Sequence, residues 1–413
     1  MKNFSLTITV LLLAFSAQAE RKTLTIAAYP SVDEIVKASL LEWKKKHPDV
    51  DVKVIGREYA DHHTAMTTAL ATATGLPDIM TVEFGYIGRF TQSGGLENLN
   101  QPPYRANDIA KKIVPFAMMQ AYTDTHGQAG IPTDIGPGAM FYRNDLLQKA
   151  KVKDTELTES WNSFIDSGKK IKAATGAYLV AHARDVKDIV IRTGIPAGEG
   201  VYFDAQGNSV VGSSIRFQKG FELARKIRNE GLDAKVNAWS GEWGESLKRG
   251  NVTAQMMGAW LGGHLSNWLA PDTAGLWRST VLPERVATSW GGTFYAIPKK
   301  AQNKELAWDL ITHLTLNRQQ QQLAFEKFNA FPSLLEAQSG SFFEQPVQFL
   351  GGQKARIEWK NTALQIKPTR VFKHDAIADE IVNAELDLVL LKGKSIDQAL
   401  KDAHGQIQKR ARR

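Results

Sequence analysis

The 413-residue sequence contains no cysteine. Disulfide frameworks, Cys-ligated zinc and a cysteine nucleophile are therefore excluded. Beyond the first residues no apolar stretch approaches the roughly 20 residues that a membrane-spanning helix needs. The local signatures of several catalytic machineries are missing too: no G-x-S-x-G elbow, no G-x-x-x-x-G-K-[ST] loop, no H-E-x-x-H pair and no G-x-G-x-x-G opening a helix. The only adjacent histidines, His62-His63, fall in a stretch read as surface helix, where neighbouring side chains diverge. No metal site is expected from them, and no cofactor is expected anywhere. Charge of one sign does not dominate, since 51 Lys+Arg against 43 Asp+Glu leave a formal +8 with the signs interspersed. Only Lys44–Lys46 and the closing Lys-Arg-Ala-Arg-Arg form basic runs. That distribution reads as a solvated surface with a mild preference for acidic partners, not as a nucleic-acid face.

The sequence does have a leader. Lys2 precedes an apolar run from Leu6 to Phe15, and Ala17-Gln18-Ala19 supplies the small-x-small cleavage site. The run is too short to span a bilayer comfortably, and no cysteine stands at the site to carry a lipid. Residues 1–19 are therefore expected to be a signal peptide removed after Ala19, delivering the chain to a bacterial periplasm. The remaining length is enough for two or three domains with sizeable cores.

Past the leader, short β-branched runs alternate with amphipathic stretches, the rhythm of an α/β protein. RKTLTIAAY reads as a first strand. Ser31 and Glu34 have capping-box spacing ahead of Val32, Ile35, Val36, Leu40 and Trp43 on one helical face. DVDVKVIG reads as a second strand, His62 to Ala73 as a helix, and Asp78 to Val82 as a third strand. A series of this kind builds a parallel sheet, with ligands at the loops after the strands. Those loops carry Tyr29 and the Glu83–Tyr86 segment. The stretch GIPTDIGPGAMFYRND is dense in proline and glycine, which marks a crossing or boundary, and it places Asp134 where two domains would meet. Further helices are expected at Trp161–Ile171, Phe217–Arg228 and Glu242–Arg249, with strands at Tyr178–His182 and Thr253–Met257. SWGGTFYAIPKK reads as another strand. NKELAWDLITHLT reads as a helix with Leu306, Ala307, Leu310, Ile311 and Leu314 inward. From Phe331 the chain reads as helices, with a last cap at Ser395.

The informative excess is tryptophan. Of ten, Trp239, Trp243, Trp260, Trp268, Trp277 and Trp290 crowd one stretch, interleaved with glycine in AWSGEWG, GAWLGGHL and SWGGT. Indole rings stack on flat apolar ligand faces, sugar rings among them, while nearby carboxylates and guanidinium groups take hydroxyls. Glycine neighbours favour Trp260 and Trp290 because they let backbone and ligand approach closely. Trp43 and Trp308 read as packing residues. Asp134, Glu83, Tyr86 and Tyr29 are candidate polar contacts, and Arg370 in PTRVF is a further candidate at the cleft.

An ordered series of segments resembles the extracellular solute-binding proteins of bacterial sugar ABC importers, the maltose-binding-protein-like group. The segments are LTIAAY, WKKKHPDVDVKV, GLPDIMTVEFGYIGRF, GIPTDIGPGAMFYRNDLLQKA, TESWNSFIDSGKKI, GNVTAQMMGAWLGGHL, WGGTFYAIPKKAQNKELAWDLITHLT and FNAFPSLLEA. The resemblance implies a two-lobed α/β periplasmic binding protein fold. Each lobe would be a mostly parallel sheet flanked by helices, residues 20–132 with 296–328 forming one and 133–295 with 329–413 the other. A carbohydrate would lie in the cleft between the lobes and be passed to inner-membrane ABC permease subunits by a monomer that performs no catalysis. Carried over residue by residue, the resemblance puts Asp134 at the first crossing and Trp260 as a stacking ring; Trp260, Trp290 and Trp243 are expected to supply the stacking faces. Trp290, Gly291 and Gly292 fall where the chain returns, and Glu83 and Tyr86 follow the third strand. Two departures stand out: Ala28-Tyr29-Pro30 replaces the group's usual aromatic pair or glycine, and TDTHGQAG leaves His126 as a rim residue without a role. Alternative ligands are a glycerol-phosphate, a polyol or a uronic acid, and the competing class is an exported carbohydrate-active enzyme. Mass spectrometry of a periplasmic extract should find a chain beginning at Glu20; an uncleaved membrane-bound product would refute the leader assignment.

Overall fold

Parallel pairing follows from the alternating β-branched runs. In the computed structural model, which describes residues 21–411, β1 (Lys22–Ala28) pairs in parallel with β2 (Val50–Gly56) on one side and with β3 (Ile79–Glu83) on the other. The expected leader and its cleavage site lie outside the described residues. The crossovers are α1 (Val32–Trp43) and α2 (Tyr59–Thr72), and α3 (Phe84–Thr91) follows β3 without a loop. Trp43 packs inward as expected, its indole N–H donating to Asp309 at 2.7 Å and its ring stacking on His47. Ser31 differs from expectation. Its backbone sits at φ 70°, and its hydroxyl makes no capping bond. A capping serine needs extended backbone to aim its oxygen at the first turn, and the turn after Pro30 denies it that.

The proline- and glycine-rich stretch, read as a crossing or boundary, forms one long strand, β4 (Ile131–Arg143). Beyond it lie α4 (Trp161–Thr175), β5 (Tyr178–Val180), α5 (Arg184–Ile191), α6 (Ile215–Asn229), α7 (Gly241–Arg249), β6 (Val252–Gly258), β7 (Trp277–Thr280) and β8 (Ser289–Ala296). The sheet runs in the order β2-β1-β3-β8-β4-β6-β5, with β7 also paired to β4. The pairs β1–β2, β1–β3 and β5–β6 are parallel. Those made by β4 and β8 are antiparallel, because these strands carry the chain from one lobe to the other in opposite senses. A third segment crosses at Phe331–Ser333, where Ile135 N–H donates to the Phe331 carbonyl at 2.9 Å.

Helices α8 (Lys304–Leu316) and α9 (Arg318–Phe328) return to the first lobe, and Ala307, Leu310, Ile311 and Leu314 of α8 are buried as their spacing predicts. The chain ends in α10 (Ala355–Gln365), α11 (Asp375–Lys392) and α12 (Ile396–Ala411), the last capped by Ser395 accepting from Gln398 N–H. Two cores flank the first lobe's strands, one around Leu24, Val36 and Leu310, the other around Met66, Val82 and Phe294. The second lobe holds a core of α4, α5, α6, α11 and α12 around Phe164, Phe217 and Leu386, and another around Trp243, Trp277 and Trp359. The result is a two-lobed α/β architecture joined by three extended segments. Among the described residues no helix is long and apolar enough to cross a membrane.

Glycine at position 136 is dictated by packing. A Cβ there would fall 1.7 Å from the Trp290 carbonyl oxygen, which belongs to backbone and cannot yield. Gly136→Ala is therefore expected to lower stability by about 1–3 kcal/mol or more, as overpacking does. Gly405→Ala on α12, where added atoms meet open space, should be neutral or stabilising by about 1 kcal/mol. Urea melts of the two variants check the contrast.

Candidate ligand-binding site

The first-lobe wall is built by helix α2 and the β3–α3 junction. Glu83 ends β3 and caps α3, its carboxylate accepting from Gly85 N–H at 2.6 Å and from the Tyr59 hydroxyl at 2.8 Å. Tyr86 thus lies on a helix and not in a loop. The His63 ring stacks on Tyr86 with centroids 4.0 Å apart. Its Nδ1–H donates to the Tyr59 carbonyl, and its Nε2 accepts from Glu83 N–H at 3.1 Å. Burial holds His63 down to about 4, so the ring is the neutral tautomer that this pair of bonds requires. The surface reading of His62-His63 is overturned: both are buried, and His62 donates to the Thr81 carbonyl at 2.8 Å. Their backbone positions diverge as helix geometry demands, but α2 presses against β3 on one side and α3 on the other, so both directions lead inward. No cluster of three or more His, Cys, Asp or Glu suited to a metal exists among the described residues.

Tyr29, just past β1, meets Tyr59 edge-on and shares a 2.6 Å hydrogen bond with the Thr293 hydroxyl. Thr293 of β8 lies opposite Asp134 of β4, so Asp134 occupies the junction of the crossing segments, with Pro332 bridging to it. Burial pushes the Asp134 carboxyl up to about 6, against the pull of hydrogen bonds from Thr293. Burial also raises Glu83, which the hydrogen bonds from Tyr59 and Gly85 oppose.

Gly291 and Gly292 adopt φ of 83° and 134°, backbone that side chains rarely tolerate. A Cβ on Gly291 would stand 3.1 Å from the Trp260 indole nitrogen and 3.7 Å from a Glu83 carboxylate oxygen. At this glycine, therefore, a carboxylate of one lobe and an indole of the other converge. Trp260 follows β6 and donates its indole N–H to the Trp290 carbonyl at 2.8 Å. The Trp239 ring stacks beside Trp260 at 5.8 Å, and His264 stands edge-on to Trp239, Trp260 and Trp268. Trp239 and Trp268 are 53% and 59% exposed, so the second-lobe wall ends in two open indole faces. The Arg192 guanidinium covers the Trp290 ring at 4.6 Å.

Two sequence candidates sit elsewhere. Trp243 is fully buried, donates to Gln255, which in turn donates to Asp185, and backs Trp239 from beneath. Arg370 pairs with Asp124 at 3.2 Å on a segment that also touches Gln92, so its charge is engaged at the rim. His126 lies in the short hairpin beside Gly94. Tyr59, His63, Trp239, His264, Trp268 and Arg192 also surround the candidate site, and no local spacing marks them for it. Glycine neighbours signal close backbone approach, not exposure, and so do not single out the exposed Trp239 and Trp268.

Fixed acceptors facing open aromatic rings suit a polar ligand with apolar faces, and the two lobes with this cleft define a ligand-binding protein. Residues 24–321 match the family of bacterial extracellular solute-binding proteins, and the chain belongs to that family. It is 28% identical over 396 residues to a lactose-binding protein of Rhizobium radiobacter, covering 91% of this chain and 90% of that one. A solved extracellular solute-binding protein of family 1 superposes with a TM-score of 0.82 at 22% identity, over 94% of this chain and 99% of the other. The ABC transporter associated binding protein of B. animalis subsp. lactis Bl-04, solved with β-1,6-galactobiose, gives 0.76 at 19%, over 94% and 96%.

The raised Asp134 generates a test with a defined sign. Its folded value of about 6 exceeds the ordinary 3.8, so the folded chain holds the proton more tightly and loses stability as pH rises from about 4 to about 6. Asp134→Asn cannot ionise. Its stability relative to wild type should therefore rise by about 1–3 kcal/mol between pH 4 and pH 7, read from urea melts at several pH values. A difference independent of pH would refute the assignment.

Proposed function

We propose that the chain captures a carbohydrate, a mono- or oligosaccharide, between its lobes and hands it to inner-membrane ABC permease subunits. The observation that carries this reading is the convergence at Gly291 of the Glu83 carboxylate and the Trp260 indole, with the exposed rings of Trp239 and Trp268 beyond. Indole faces desolvate the C–H face of a sugar while carboxylates accept its hydroxyls, and neither group needs to react. The lactose- and galactobiose-associated relatives support the same class of ligand.

The lobes in this reading are residues 20–132 with 296–328 and residues 133–295 with 329–413. The leader takes the chain to the periplasm, where it works as a monomer without turnover. Closure about the three crossing segments brings Glu83 and Tyr59 toward the indole wall. A ligand touching both walls favours the closed form by its differential affinity.

Calorimetric titration against a panel of neutral mono- and disaccharides is the test, with product analysis of the same samples. Saturable stoichiometric binding without breakdown is expected; turnover would favour a carbohydrate-active enzyme, and no binding across the panel would overturn the reading. Trp239→Ala should weaken the bound sugar by roughly five- to hundredfold, the loss of one stacking face worth about 1–3 kcal/mol, with the urea midpoint retained. Trp243→Ala should do the opposite, costing about 3–5 kcal/mol of stability as a core deletion.

A further inference from the structure

A cavity of about 270 Å³ lies between the lobes next to Arg192, the residue whose guanidinium covers the Trp290 ring. Phe84 and Gln120 of the first lobe line it together with Arg192, Ser289, Lys367 and Thr369 of the second. No Asp or Glu is among its lining residues, while two cationic residues and several with hydrogen-bond donors are. Two buried polar atoms of these wall residues have no hydrogen-bond partner: Arg192 Nε and Ser289 Oγ. A buried charged donor left unsatisfied costs more than a neutral one, so it persists where something else completes it.

The carboxylates near Arg192 do not complete it. Asp188, 3.6 Å away, accepts the ammonium of the fully buried Lys187. Asp379, at 3.9 Å, accepts from the Tyr202 hydroxyl and from Asn383. Asp375 accepts Phe372 N–H through Oδ2 while its Oδ1 is buried without a partner, and Glu83 is held by Tyr59 and Gly85. Arg192 itself spends one terminal nitrogen on the Asp188 carbonyl at 2.9 Å. These groups orient the guanidinium and balance its charge, and none of them takes Nε. Lys367, exposed, stands on the same wall.

We propose that this cavity is a binding site for a carboxylate- or phosphate-class anion, held by Arg192 and Lys367 with Ser289 and Gln120 donating beside them. A planar guanidinium matches such oxygens, and a lysine adds a second, mobile charge. The anion has two sources: an acidic group carried on the captured carbohydrate, as in a uronate or sugar phosphate, or a free inorganic ion. In the first case the inference rests on the carbohydrate reading above; in the second it stands without it. Because both lobes line the cavity, an anion there contacts each of them.

The full exported chain is titrated calorimetrically in chloride buffer with inorganic phosphate, galacturonate and galactose. Saturable binding of phosphate or galacturonate is expected, weakened about tenfold by Arg192→Gln and several-fold by Lys367→Gln, each substitution removing a charge-assisted contact. Lys367 is exposed, so its variant keeps the test open should Arg192→Gln fail to fold. Galacturonate binding well above galactose, with phosphate competing, assigns the anion to the sugar. Phosphate binding that neither sugar displaces assigns a free ion. Galactose binding equal to galacturonate with no saturable phosphate heat up to about 10 mM, or anion binding untouched by Lys367→Gln and by a folded Arg192→Gln, overturns the proposal and leaves the carbohydrate reading intact. Phosphate bound while neutral and acidic sugars both fail would sink the carbohydrate reading alone.

Discussion

The Trp290 carbonyl oxygen is the contact on which the rest of the cleft depends. It accepts the Trp260 indole N–H, and β4 and β6 approach it so closely that neither Gly136 nor Gly258 has room for a Cβ. One backbone atom thereby fixes the strand that returns to the first lobe, the strand that leaves it, and the ring that forms the second-lobe wall. Glycine at 136 and 258 is the local requirement for that approach, and Gly291, with its left-handed backbone, is what then leaves space between Trp260 and Glu83. Stacking geometry in the site is therefore set by backbone packing and not by side-chain preference alone.

The opposite wall is fixed by hydrogen bonds. Glu83 could rotate freely at a strand end, but three groups hold it: the Tyr59 hydroxyl, the Gly85 amide, and the His63 ring through the Glu83 amide, with His63 itself stacked on Tyr86. A protonated His63 could not accept from that amide, so the burial that keeps the ring neutral also preserves the position of the carboxylate. Preorganisation of this kind reduces the ordering cost that a ligand would otherwise meet on binding.

Much of the fold was legible because it repeats a simple period. The β1–α1–β2–α2–β3 series and the inward face of α8 follow from alternation and from three- and four-residue spacing. What period cannot express was misread. Ser31 has capping spacing but the wrong backbone, and His62-His63 looks exposed until α3 covers it. The candidate site was half legible. Strand ends and glycine punctuation point to Glu83, Tyr86, Asp134, Trp260 and Gly291, whereas Tyr59, Trp239 and Arg192 stand beside them only because separate helices converge in space. Trp243 shows the limit from the other side: it shares the local text of Trp239, four residues away, and is fully buried.

That pair of tryptophans also shows how the chain keeps an indole exposed. Trp239 sits at φ 69°, a conformation unfavourable for an aromatic residue, and more than half of its surface faces outward. Neither feature would persist unless the surroundings imposed it. Ser240 caps α7 by accepting from Trp243 N–H, which fixes the backbone immediately after Trp239, and the Trp243 ring beneath is itself tethered through Gln255 to Asp185. Burying Trp243 fully and hydrogen-bonding its indole makes a rigid base, on which Trp239 is carried with its outer face open beside Trp260. Backbone strain and an uncovered apolar ring at one residue are both destabilising, so the cap and the buried relay offset a cost that has no return within the folded chain itself. The open face of Trp239 is where that cost is recovered when an apolar surface of matching size covers it.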